Sequence, residues 1–230
     1  MADSSTGPTD LVGLGKIGAQ LIETGERFLT RLFGPLLDEK GRQWAEASRH
    51  RHDNMLKVAG MASRIVGDKE MQPVPGRVLF PLLNYAGNED DEELQKKWAA
   101  LLANATMDSH QVPPSYPSIL SSLSPVDALV LDWVHLQDKP SVPMEEFLLG
   151  HAELKKSFLA TMDNLWRLGL IRPTLMPLTI NTRVDPNSVV LPSPGPPTYN
   201  YVGLTELGES FVTACYPPNE AYTRRRLAAT

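Results

Sequence analysis

Three stretches carry residue types that could do chemistry: the pair His50 and His52 in RHRHDN, the acidic run Glu89 to Glu93, and the glycine triplet Gly13, Gly15 and Gly18. On a helix, histidines two apart point about 200° from one another, so the pair reads as a polar face rather than a metal clamp. The triplet has the form G-x-G-x-x-G. A dinucleotide site needs a strand just before such a turn, whereas SSTGPTD precedes it and an apolar helical pattern follows. Close helix packing is the plainer use, since Gly18 and Gly25 lie seven apart on one face. The acidic run reads as the start of a helix, with Asn88 as N-cap and Glu89, Asp90 and Asp91 in the first turn at the positive end of the helix dipole. Glu92 with Lys96 and Glu93 with Lys97 then stand four apart in the favourable acid-before-base order.

Little else resembles an active site. His110, His135 and His151 stand singly, and no P-loop, HExxH, G-x-S-x-G or CxxC occurs. The one cysteine, Cys215, excludes an internal disulfide and reads as a small buried apolar residue behind Phe211 and Val212. We therefore expect no catalytic, cofactor-binding or metal-binding residue. The net charge of -5 argues against coating nucleic acid by sheer basicity. No stretch reaches the roughly 18 apolar residues of a membrane span. The first residues, Met1 to Pro8, lack the basic start and apolar core of a signal peptide. A cytoplasmic, soluble protein is expected.

Helices must position whatever the chain presents. Asp10 to Phe33 places Leu14, Leu21 and Phe28 on one line. After Gly34-Pro35, Leu36 to Val66 reads as a long helix with Trp44, Arg51, Met55, Val58, Ala62 and Ile65 along one side and a kink near Gly60. Arg77 to Tyr85 is a shorter helix, and the acidic-capped helix to Met107 shows Leu94, Trp98, Leu101, Leu102 and Ala105 on one apolar face. Beyond DSHQVPPSY, Ser124-Pro125 opens another helix. Met144 to Leu149, Glu153 to Leu168 with Gly169 as its cap, a strand from Leu170, and a closing helix from Glu206 to Ala214 complete the pattern. The expected fold is mainly α: a disordered leader 1–10, a helical bundle 11–107, a linker 108–117, an α+β domain with a small β-hairpin 118–216, and a flexible basic tail 217–230.

Leu165-Trp166-Arg167-Leu168-Gly169-Leu170-Ile171 followed by Leu204-Thr205-Glu206-Leu207-Gly208 resembles the third helix and returning hairpin of a winged-helix domain, the loop from Asp185 to Pro197 serving as the wing tip. The chain as a whole is also similar to the bacterial abortive infection alpha family. The resemblance rests on Gly34-Pro35 with Glu39 and Gly41, on Arg51 and Asn54, on Val74-Pro75 and Pro81-Leu82-Leu83, and on Glu89-Asp90 followed by Trp98 to Ala105. Tyr116-Pro117-Ser118 with Leu120, Leu123 and Ser124 extend it. One position departs, Gly87, where a small hydroxyl residue is expected. The resemblance implies a role in defence against phage and brings no catalytic residues with it.

The expected function is that of a non-enzymatic interaction protein with a protein partner, and the alternative is a DNA-binding regulator. Homo-oligomers are compatible with both. For DNA the candidate contacts are Lys155, Lys156, Ser157, Asn164 and Arg167, opposed by Glu145, Glu146, Glu153 and Asp163 around them, with the Arg224-Arg225-Arg226 tail as a further phosphate contact. For a protein partner the candidates are Val189, Val190 and Leu191, an apolar patch in the proline-rich loop RVDPNSVVLPSPGPPT.

Overall fold

The computed structural model describes residues 10–33, 49–108, 112–137, 139–173 and 200–218, with side chains of the first helix from Gln20 to Arg31. Their order is α1 (Asp10–Phe33), α2 (Arg49–Val66), α3 (Gly76–Ala86), α4 (Glu92–Met107), α5 (Tyr116–Leu120), α6 (Pro125–Leu136), β1 (Val142–Pro143) and α7 (Met144–Gly150). A 3-10 helix (Ala152–Lys156), α8 (Phe158–Arg167), β2 (Ile171–Pro173), β3 (Tyr201–Leu204) and α9 (Glu206–Ala214) follow. The described residues are mainly helical, with one small sheet. It divides into two compact units: the described residues up to Pro125 together with 213–218, and Val126–Val212.

In the first unit the core gathers on α4. Trp98, Ala99, Ala100, Leu101, Leu102, Ala103 and Ala105 all have 0% exposure, so its later turns are covered on every side rather than on the single face the spacing predicts. The four alanines explain this, because their short side chains let neighbouring elements approach from directions a leucine would block. Met55, Val58 and Ala62 of α2 are buried as their spacing predicts, and Leu82, Leu83 and Ala86 of α3 join them. Gly60 marks a crossing: a Cβ there would stand 2.2 Å from the Leu21 carbonyl oxygen, and one on Gly25 would stand 2.1 Å from that of Leu56. The two glycines let α1 and α2 touch backbone to backbone. Val112 and Tyr116 are each 1% exposed, so these two residues contribute to this core.

The second unit carries the antiparallel sheet, in the order β1-β3-β2. Val142 pairs with Val202, and Ile171 with Leu204. Strand β1 has two residues, too short for an alternating pattern to announce it. The expected helix Glu153 to Leu168 is broken: Ala152–Lys156 is a 3-10 helix, and α8 begins only after Ser157, whose hydroxyl donates back to the Leu154 carbonyl at 3.1 Å. At its other end Gly169, with φ +72°, lets Leu170 N–H reach Leu165 O at 3.0 Å and its own N–H reach Trp166 O at 2.8 Å. That pair of bonds is a Schellman closure, which only a residue tolerant of left-handed backbone completes without strain.

Candidate functional site

Asn54 is 1% exposed on the otherwise apolar side of α2, and a buried amide there needs partners. Its Nδ2 donates to Asp90 Oδ1 at 2.8 Å, and the same oxygen lies 2.5 Å from His50 Nε2, one turn earlier on α2. The bond from Asn54, then that from His50, hold the Asp90 carboxyl below its ordinary value. Arg51 donates to Asn84 Oδ1 at 2.8 Å beside them. Asp90 is therefore not first-turn helix chemistry, and His50 does more than line a polar face.

The N-cap of α4 is Asp91, not Asn88. The Asp91 carboxylate accepts from Leu94 N–H at 2.9 Å, and Asn88 instead donates to the Asn84 carbonyl at the end of α3. Glu89 accepts from Asp91 N–H, and Gln95 donates to the Glu89 carbonyl at 2.7 Å, so the 87–91 turn is tied at both ends. A side chain at 87 would meet the Arg51 carbonyl at 3.0 Å, a contact that glycine relieves. Lys96 pairs with Glu93 at 2.6 Å, three residues away, and Lys97 lies over the Tyr216 ring at 4.9 Å, in place of the two four-residue pairs expected. Asn54 and Asp90, two of the residues on which the family resemblance rests, are thus bonded to one another although they are far apart in sequence. Among the described residues no cluster of three potential metal ligands occurs.

The second unit presents the other candidates. Lys155 and Lys156 are exposed in the 3-10 helix, ahead of α8 rather than at its start. Asn164 gives its amide to Asp127 Oδ2 at 2.9 Å, and Arg167 donates to Asn164 Oδ1 at 2.7 Å, so two candidate DNA contacts engage neighbours on their own unit. On the open side of α8, Leu159 is 65% and Trp166 49% exposed, seven residues apart, with exposed Asp163 between them. Trp166 lies inside the stretch Leu165 to Ile171 that resembles a winged-helix third helix, and its spacing from Leu159 does not by itself mark the pair as exposed. Val189, Val190, Leu191 and the arginines 224–226 lie outside the described residues.

The remaining histidines of this unit have local roles. His151 stacks on Phe147 with ring centroids 4.4 Å apart, and His135, with its side chain 5% exposed, has Nδ1 3.3 Å from Glu209 Oε2. Cys215 is buried. Gly13, Gly15 and Gly18 all lie within α1, with no described strand before them. Among the described residues no helix is long and apolar enough to cross a membrane.

No curated protein and no solved structure matches the chain. The family described as abortive infection alpha matches residues 50–215, a span that begins at His50 of the α2 junction and runs through the second unit. The chain belongs to the abortive infection alpha family.

Proposed function

We propose that this family member serves phage defence without chemistry of its own, by docking a protein partner on the open face of α8. The observation that carries the reading is the exposed pair Leu159 and Trp166 with Asp163 between them, an apolar and acidic surface where a DNA reader would present cations. An exposed tryptophan flanked by an aliphatic side chain is the kind of anchor on which protein interfaces concentrate binding energy. Leu159→Ser with Trp166→Ser should leave the melting temperature nearly unchanged and lower protection against phage by about tenfold or more, a loss of roughly 1.4 kcal/mol or more if it is read as affinity. Full protection by the folded double mutant would sink the proposal.

The second reading is a winged-helix DNA-binding regulator. It is supported by the order α6, β1, α7, α8, β2, β3 and by the sheet order β1-β3-β2, in which the strand before the helix pair flanks the strand that returns after it. On this reading Lys155→Ala with Lys156→Ala weakens duplex binding about equally for every sequence and lowers its salt dependence. On the protein-docking reading the same variant protects as well as the wild type.

A further inference from the structure

Within the second unit lies a cleft of about 380 Å³, walled by the end of α6, the segment before β1, strands β2 and β3, and the first turn of α9. Its charged lining is mixed: Lys139 and Arg172 on one hand, Glu206 and Glu209 on the other, with His135 between strand and helix. Glu209 is engaged by the nearly buried imidazole of His135. Lys139, Arg172 and Glu206 have no side-chain hydrogen bond or ion pair among the described residues, although opposite charges line the same cavity. Charges that share a concave wall and do not neutralise one another are available to a ligand carrying the complementary pair.

We propose that this cleft binds a small zwitterion, a free amino acid or a short peptide, with its carboxylate toward Lys139 and Arg172 and its ammonium toward Glu206. The size fits, since 380 Å³ is near the lower end of the roughly 300–1,000 Å³ of ligand pockets. The chemistry fits as well. A simple anion would face Glu206 and Glu209, a simple cation would face Lys139 and Arg172, and only a ligand of both signs meets each with its opposite. No Phe, Tyr or Trp among the described residues lines the cleft, and the one ring that does, the imidazole of His135, is nearly buried and engaged with Glu209, which leaves a nucleobase little to stack on. Val134 and Leu204 supply a limited apolar floor for a side chain.

The test is calorimetric titration of the full chain with L-glutamate, L-leucine, glycylglycine, acetate and ethylamine. At least one of the three zwitterions should bind with a Kd of about 1 mM or tighter, and acetate and ethylamine should bind about tenfold more weakly or not at all. A free amino acid as the natural class predicts that L-glutamate or L-leucine outranks glycylglycine, and a peptide predicts the reverse. Lys139→Ala with Arg172→Ala, and separately Glu206→Gln, should each weaken binding by about tenfold without changing the melting temperature, since all three side chains are exposed. Silence from the three zwitterions at about 10 mM, acetate binding as tightly as they do, or unaltered affinity in both folded variants would overturn the assignment.

Discussion

The buried amide of Asn54 and the exposed carboxylate of Asp90 share a hydrogen bond of 2.8 Å across 36 residues of sequence, and that bond pins the α3–α4 turn to α2. Asn54→Ala removes the donor and leaves a gap at a position 1% exposed, so it should cost about 1–3 kcal/mol. Chemical denaturation at neutral pH checks this, and a loss under about 0.5 kcal/mol would mean the turn is held by other contacts.

The same pair predicts a pH dependence. Asp90 is held below its ordinary value of 3.8, so its contribution is fully present above that pH and is lost as pH falls through the lower, folded value. Wild type and Asp90→Ala should therefore differ in denaturation midpoint at pH 7 and converge as the pH is taken below about 3.8. A constant difference across that window would show that Asp90 acts by packing and not by its charge.

Gly25 and Gly60 should tolerate nothing larger. Alanine at either would place a methyl carbon within 2.2 Å of a backbone oxygen on the other helix, and the two helices would have to part, at a cost of about 1–3 kcal/mol. Gly150, with nothing within 4 Å of its would-be Cβ, is the control, and Gly150→Ala should stay within about 0.5 kcal/mol of wild type. Equal effects at Gly60 and Gly150 would refute the close crossing.

Trp98 combines a fully buried ring with an indole N–H that has no hydrogen-bond partner among the described residues. Trp98→Ala should cost about 3–5 kcal/mol. Trp98→Phe keeps much of the apolar volume and deletes the unsatisfied donor, so its cost should be less than half as large. If the two substitutions prove equally damaging, the nitrogen has a partner in solution.

Most of the helical framework was legible because apolar residues at a spacing of three and four leave a signal that tertiary context seldom erases. Closing helix α9 and the Pro125 start of α6 fall at the residues where the sequence places them. The cap of α4 was not legible. Asn88, Asp90 and Asp91 can all cap a helix, and what selects Asp91 is Asn54 of α2 drawing Asp90 aside. The break at Ser157 escaped for a similar reason, since Glu153 to Leu168 keeps a helical period on both sides of it. The cleft left no trace in the sequence, because His135, Lys139, Arg172 and Glu206 come from four separate elements and connections that only the folded second unit brings together.

Gly13, Gly15 and Gly18 lie in helix and not in a strand-to-helix turn. Calorimetric titration with NAD, NADP, ATP and GTP should give no heat attributable to the triplet, and Gly15→Ala should leave every titration unchanged. Micromolar affinity that this substitution abolishes would reverse the reading.

Asn104 of α4 donates its amide to the carbonyls of Ala214 and Tyr216, at 2.8 and 2.9 Å. The first unit therefore borrows a closing piece that leaves the ribosome about 90 residues after Pro125, which at ordinary synthesis rates is on the order of ten seconds later. During that interval the Asn104 amide lacks both carbonyls and the place of Tyr216 stands open, so the nascent chain passes through a window in which part of its core is a surface for chaperones. A fragment ending at Pro125 would remain in that window for good.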